Sequence, residues 1–255
     1  MVFRRLFPRS TRLQQTAYRL PEGERIYAIG DIHGRRDLFA QLRGMIEEDH
    51  AARGAGKYTL ILLGDLIDRG PESRGVIEDA IALSTGPTPC VFLMGNHEES
   101  LIRVWEGDES VTASFLRYGG DALLCSYGVA PDAPALAQRS PAEIIDAVRR
   151  HVPEAHIRFL QSFQQIHQEG DYVFVHAGVR PGIPISAQDP VDLRWIRADF
   201  TRSTADFGAM IVHGHSITPE PDVKPNRIGI DTGAYQSGHL TALGLEGSAR
   251  WLLST

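Results

Sequence analysis

Short apolar runs that each end in a glycine-containing polar turn, with a helical pattern before the next run, constrain this chain more than any other feature. Arg25–Ile29 (RIYAI), Tyr58–Leu63 (YTLILL) and Cys90–Met94 (CVFLM) read as three strands. Tyr58–Leu63 is almost continuously apolar, as in strands buried on both faces. Between the first two runs, Leu38, Leu42, Met45 and Ile46 fall on one helical face. Val76, Ile77, Ala80, Ile81 and Leu83 do the same between the second and third. This strand–helix–strand–helix–strand order implies parallel pairing with right-handed crossovers, and hence an α/β fold.

Residues 101–168 break the rhythm. Helical periodicity dominates there, clearest over Ala142–Val148 and Ile157–Phe163, with Pro131, Pro134, Pro141 and Pro153 as interruptions. The segment reads as a helical insertion over the domain. Strands then return at Tyr172–Val175, Met210–Val212, Ile228–Ile230, Leu240–Leu245 and Trp251–Leu253. The close spacing of the last three, with little helix between them, predicts an antiparallel second sheet.

Charge divides the chain unevenly. Residues 1–20 hold five arginines (Arg4, Arg5, Arg9, Arg12, Arg19) and no acid, which leaves the rest with 21 bases against 32 acids. A body that acidic is a poor nucleic-acid binder, because phosphate backbones demand clustered Lys and Arg. We therefore expect a basic arm over residues 1–22, followed by one domain over 23–255. The arm lacks the apolar stretch of a secretory leader. It reads as a loosely ordered tail, with docking on an acidic partner as the competing use. No apolar run approaches the roughly 18 residues of a membrane helix. Two cysteines, Cys90 and Cys125, are too few for a disulfide framework or a zinc–thiolate site, so a reduced, cytoplasmic protein is the expectation.

The chemistry lies in the turns at the strand ends. The first strand runs into Gly30-Asp31-Ile32-His33-Gly34, the second into Gly64-Asp65-Leu66-Ile67-Asp68-Arg69-Gly70 and the third into Gly95-Asn96-His97-Glu98. Asp31, Asp65 and Asn96 are spaced 34 and 31 residues apart, about one βαβ unit each. Each should emerge at the carboxyl end of a parallel strand, where open α/β sheets place their ligand sites. Two later strands end in His176-Ala177-Gly178 and His213-Gly214-His215-Ser216. Asp31, His33, Asp65, Asn96, His176 and His215 form a nitrogen-and-oxygen donor set without thiolate, suited to Mn²⁺, Fe or Zn²⁺. Six ligands exceed what one catalytic ion with open positions needs, and suit two ions sharing a carboxylate. Asp65, on the middle strand of the three, is the natural bridge.

GDIHG, GDLIDRG, GNHE, HAG and GHS, in this order over residues 30–216, resemble the signature of the metal-dependent phosphoprotein phosphatases. Gly119–Gly128 and Ile230–Gly233 resemble the bacterial serine/threonine members. The resemblance implies a calcineurin-like metallophosphoesterase fold, two mixed β-sheets in a sandwich flanked by helices. It implies a dinuclear centre, with Mn²⁺ the expected metal, in which Asp31, His33 and Asp65 hold one ion. Asp65, Asn96, His176 and His215 hold the other. It assigns His97 as general acid, oriented by Asp68, and Arg69 as a phosphate grip. A carboxylate partner fixes an imidazole tautomer and favours its protonated form, and a guanidinium matches phosphate oxygens in bidentate fashion. Arg197 best matches the second expected arginine, with Arg180 and Arg194 as rivals.

The leading expectation is a serine/threonine, or dual-specificity, protein phosphatase acting on phosphorylated protein by direct attack of a metal-bridging hydroxide. A diadenosine tetraphosphatase uses the same site. Such enzymes tend to carry Asp where this chain has Glu98, and on that ground the phosphatase is preferred. A non-catalytic, metal-stabilised binding module is disfavoured because His97, Asp68 and Arg69 accompany the ligand set. The chain has no G-x-x-x-x-G-K-[ST] phosphate loop. His213, Glu98 and Glu99 read as structural or outer-shell residues, and Trp105, Trp195 and Trp251 as packing.

Overall fold

Alternation along the first long strand decides how the layers stack. In β2 (Arg25–Ile29) every residue is buried, with Tyr27 and Ile29 in one apolar core and Ile26 and Ala28 in another. Strand β3 (Thr59–Leu62) divides in the same way, Leu60 and Leu62 against Ile61. A period-2 backbone with both faces covered requires this near-continuous apolar run. The computed structural model describes residues 11–14, 17–54, 56–129, 136 and 138–255.

The first sheet runs in the order β1 (Thr11–Arg12), β11 (Ala249–Ser254), β10 (Thr241–Glu246), β2, β3, β4 (Cys90–Phe92). Strands β2, β3 and β4 are parallel, and their register sets Ile29 beside Leu62 and Leu62 beside Phe92. The turns after all three strands therefore leave at one edge. The second sheet runs β5 (Ile166–Glu169), β6 (Tyr172–Val175), β7 (Met210–His213), β9 (Arg227–Gly229), β8 (Asp222–Val223). Its three central strands are parallel and its two outer strands antiparallel.

The expected antiparallel second sheet is thus corrected. Strand β9 lies parallel to β7, because the chain makes an excursion through edge strand β8 before returning. Strands β10 and β11 form a hairpin on β2 and belong to the first sheet. Close spacing in sequence specified the hairpin but not the sheet it would join.

The sheets and helices enclose three cores. Between the sheets, Ile26, Ala28, Ile61 and Leu63 meet Tyr172, Phe174, Val212, Ile228, Leu243 and Leu245. Outside the second sheet, Val173, Val175 and Ile211 pack on Leu193, Ile196 and Phe200. Outside the first sheet lie α1 (Arg36–Ala52) and α2 (Ser73–Ser84), which bury Phe39, Leu42, Val76 and Ile77. The same core receives α3 (Asn96–Glu106), α4 (Thr112–Phe115), α5 (Asp121–Ser126), α6 (Pro141–His151) and α7 (Glu154–Gln161) through Leu101, Phe115, Leu124, Val148 and Leu160. Helix α6 starts at Ser140, whose hydroxyl accepts from the Glu143 amide while the Glu143 carboxylate accepts from Ser140 N at 2.7 Å. Such a reciprocal cap contributes about 1 kcal/mol. The stretch read as helical to residue 168 instead closes on β5, whose His167 pairs with Phe174.

The arm is not a free tail where the structure describes it. Thr11 and Arg12 pair with Leu252 and Trp251, and Leu13 N donates to Arg250 O at 2.9 Å. Leu20 is buried in the core between the sheets. Arg4, Arg5 and Arg9, on which docking to an acidic partner would depend, lie outside the described residues. Cys90 is a free thiol, and no described helix is long and apolar enough to cross a membrane.

Candidate active site

Backbone strain marks the site before any side chain is considered. Five described non-glycine residues have positive φ: His33 (46°), Asp65 (50°), Asp68 (71°), Arg69 (66°) and His215 (60°). All five stand in the turns after β2, β3 and β7. A left-handed non-glycine residue costs of order 1–3 kcal/mol and persists only where its surroundings over-determine it. Here they do. Ile32 N and His33 N both donate to Asp65 O, at 3.0 and 2.9 Å, and Gly214 N donates to His176 O at 2.8 Å. Glycine is required where turns meet carboxylates. A Cβ on Gly95 would strike Asp65 Oδ1, and one on Gly214 would strike Asp31 Oδ1.

The turns bring the six expected ligands to one edge, all buried. His33, Asp65 and His97 present donor atoms within 4.8 Å of one another, and so do Asp65, His176 and His215. Asp65 belongs to both groups. Its Oδ2 lies 3.6 Å from His33 Nε2 and 3.4 Å from His176 Nε2. Asn96 Oδ1 is 3.0 Å from His176 Nε2. The Asp31 carboxylate accepts from His215 N at 3.1 Å and joins neither group of donor atoms directly.

Outer contacts prepare these rings. His33 Nδ1 lies 2.8 Å from Ile67 O, and His176 Nδ1 lies 2.9 Å from Leu63 O. A carbonyl partner places a proton on Nδ1 and leaves Nε2, on the Asp65 side, as the position that a second proton or a metal ion takes. His215 Nδ1 faces His176 Nε2 at 3.2 Å, and the buried Nε2 of His215 has no hydrogen-bond partner. Burial lifts Asp31 well above the ordinary carboxylate range, with the Asp231 charge adding to it. Burial opposes protonation of His176, yet Asp65 raises it to about 10. The edge is thus a sheltered nest of carboxylates and converging ring nitrogens that favours positive charge, which fits divalent cations.

His97 differs from the metal-facing rings. Its Nδ1 is 2.6 Å from Asp68 Oδ2, and its Nε2 lies 3.1 Å from Arg69 Nη2. Burial works against its protonation, but the Asp65 and Asp68 carboxylates outweigh burial and raise its pKa above the usual imidazole value. Arg69 also rests 4.7 Å from the Tyr235 ring centroid. Among the three candidates for the second arginine, Arg180 is held by Asp192 and Asp199, and Arg194 by Glu99. Arg197 is exposed, with Nη1 3.4 Å from His215 O.

Residues 24–219 match the family model for calcineurin-like phosphoesterases. The chain belongs to that family. Among calcineurin-like phosphoesterases it is 27% identical over 237 residues to an asymmetrical bis(5'-nucleosyl)-tetraphosphatase of Anoxybacillus flavithermus, covering 84% of this chain and 88% of that protein. It is 30% identical over 156 residues to a symmetrical bis(5'-nucleosyl)-tetraphosphatase of Nitrosospira multiformis, covering 61% of this chain and 44% of that one. The crystal structure of a candidate diadenosine tetraphosphatase superposes with a TM-score of 0.61 at 19% identity, covering 93% of this chain and 98% of that one, and shares the fold.

These relatives overturn the expectation of a phosphorylated protein as substrate. They are dinucleoside tetraphosphatases, so the phosphorylated-protein partner is not carried forward. The structure shows why Glu98 misled. Its buried carboxylate accepts from Asp65 N at 2.9 Å, Leu66 N at 2.8 Å and Gly95 N at 3.1 Å. It ties the turns of this phosphoesterase together, a structural role that gives no ground for preferring a phosphoprotein.

Other neighbours of the site escaped the sequence reading. Tyr235 lies edge-on to His33 with ring centroids 5.5 Å apart. Asp231, buried after β9, accepts from Gly233 N at 2.9 Å and acts on the Asp31 charge. Trp195, read as packing, is 41% exposed, donates to Glu99 at 2.7 Å and lies 6.5 Å from the His215 ring. Asp231 had a signal in sequence through the Ile230–Gly233 segment and Trp195 through its place between the candidates Arg194 and Arg197, whereas Tyr235 had none.

Proposed function

We propose that this phosphoesterase hydrolyses dinucleoside polyphosphates, with bis(5'-nucleosyl)-tetraphosphates as the substrate class. The observation that carries the reading is the end-to-end similarity to a protein of that activity, over 84% of this chain and 88% of the relative. Asp31, His33 and Asp65 would hold one divalent ion, and Asp65, Asn96, His176 and His215 a second, with Mn²⁺ among the metals this donor set suits. Ions held there supply Lewis-acid charge to phosphate oxygens and lower the pKa of water.

The chain's own residues do the rest. Arg69 and Arg197 flank the nest and grip the polyphosphate oxygens, Arg69 held in line by the Tyr235 ring and the Tyr118 carbonyl. His97, whose protonated form its carboxylate neighbours favour, would give an Nε2 proton to the departing oxygen once Arg69 turns from that nitrogen to the phosphate. Asp68 fixes the ring so that Nε2 faces the substrate side. The test is turnover of diadenosine tetraphosphate by metal-reconstituted protein, with chromatography of the products. Two molecules of ADP mark symmetrical cleavage, and ATP with AMP asymmetrical cleavage. Cleavage of p-nitrophenyl phosphate with no turnover of the dinucleotide would sink the reading.

A further inference from the structure

We propose that the pocket lined by Arg69, Arg117, Tyr118, Gly119, Asp121 and Tyr235 is a nucleoside subsite. It takes the base and ribose attached to the phosphate that Arg69 grips. The inference rests on the dinucleoside reading and adds to it where one nucleoside lies and which residue selects it.

The pocket adjoins the phosphate grip. The pocket has a volume of about 370 Å³ and begins at Arg69, whose Nη2 is 3.1 Å from His97 Nε2. A ligand anchored by phosphate on Arg69 has the rest of its length beside this pocket. Its surface chemistry suits a base. Tyr118 is 56% exposed, the largest exposure among the big apolar side chains described, although its backbone carbonyl is committed to Arg69. The Arg117 guanidinium lies 5.9 Å from the Tyr118 ring centroid, and that of Arg69 lies 4.7 Å from the Tyr235 ring. Phenol rings and guanidinium planes offer flat faces on which any base can stack. Asp121 Oδ1 accepts from Ala122 N at 2.7 Å, and a carboxylate retains capacity for ribose hydroxyls.

The pocket is also held rigid. Tyr118 stands in a widened helical turn, Leu116–Gly120, between α4 and α5, where Gly119 has φ +112°. Arg69 N donates to Gly119 O at 3.1 Å, and a Cβ on Gly119 would come within 2.5 Å of that same nitrogen. The turn that presents Tyr118 is therefore locked onto the turn that presents Arg69. An aromatic ring held this way can fix a base relative to the scissile phosphate.

The test compares two ligands that are not hydrolysed, the α,β-methylene analogue of ADP and methylenediphosphonate, by calorimetric titration of Mn²⁺-loaded protein. They share the P–C–P group and differ by the nucleoside. Wild type should favour the nucleotide analogue by roughly 5- to 150-fold, the range that one stacked base supplies. Tyr118→Ala should bring the ratio close to one with methylenediphosphonate affinity unchanged, and Tyr118→Trp should preserve it. Equal affinities in wild type, or an undiminished ratio in Tyr118→Ala, would overturn the subsite. Wild-type turnover of diadenosine tetraphosphate, measured in parallel, separates the two ideas. Turnover without a preference ends the subsite alone, whereas preference without turnover ends the dinucleoside reading and upholds the subsite.

Discussion

The turns that leave the two sheets meet at one edge but are built differently. Those of the first sheet carry four of the five left-handed non-glycine residues, His33, Asp65, Asp68 and Arg69. They supply the carboxylates Asp31 and Asp65 and are tied by Glu98 and by shared amide bonds to Asp65 O. Those of the second sheet supply His176 and His215, with strain at His215 alone. His176 is oriented across the gap, by the Leu63 carbonyl of the opposite sheet. One side of the centre is thus preorganised by a strained, clamped loop, and the other by packing of one sheet on its partner. Damage to the clamped side should spread to several site residues, whereas damage to the packed side should stay local.

Asp65→Asn should have the largest effect. Its Oδ2 faces His33, His176 and His97, so the change weakens both donor groups together. Both ions should be lost or loosened, and turnover should fall on every substrate, where His176→Asn removes a ligand from one group only. Metal analysis and turnover on both variants check this. If Asp65→Asn keeps two ions per chain and full activity, the shared carboxylate is wrongly assigned.

His97→Asn comes next and should separate by leaving group. A general acid contributes about 10²–10⁴-fold, most where the departing oxygen is strongly basic. The variant should therefore lose most on an alkyl phosphomonoester and less on p-nitrophenyl phosphate, with its metal content intact. Equal losses on the two substrates would defeat the assignment. Glu98→Gln is smaller again. It keeps the shape but turns one of the two oxygens that hold three loop amides into an NH2 donor, and changes in such outer partners cost about 10–100-fold in metal affinity or activity. An unchanged metal affinity in Glu98→Gln would show that the strained side needs no clamp.

The same contrast explains what the sequence could reveal. Strands β2, β3 and β6 are legible because each is a near-continuous apolar run with its ends marked by polar or glycine residues, and the ligand types stand directly at those ends. Short edge strands such as Ile166–Glu169 and Asp222–Val223 bury one face at most and have no such pattern. The sheet that Thr241–Glu246 joins is set by long-range packing of Leu243 and Leu245, which local spacing does not encode. Within the site, the identity of Glu98 was visible but its direction was not. It points at backbone amides, so it gave no ground for preferring a phosphoprotein over the dinucleotide alternative. Tyr118 and Tyr235 lie 117 residues apart and share a pocket only once the insertion is folded onto the first-sheet turns.

The smallest effect belongs to a region that neither set of turns controls. His156, on α7, is buried with Nδ1 2.7 Å from the Tyr127 hydroxyl. Burial lowers its pKa below the ordinary 6.5, with the Glu78 carboxylate raising it and Arg74 lowering it. The unfolded chain therefore binds this proton more readily than the folded one. The stability that the neutral ring contributes is fully present above the unfolded value of 6.5, and is lost as pH falls from there through the folded value. His156→Gln has no titrating ring. The difference in melting temperature between wild type and variant should accordingly shrink as pH falls from about 8 to about 5. Turnover at the upper pH should not change, because His156 touches neither the ligands nor the pocket beside Arg69. A difference that stays constant across that range would mean that the Tyr127–His156 pair takes up its proton as readily folded as unfolded. The pH dependence of stability would then have to be sought among the buried carboxylates of the first-sheet turns.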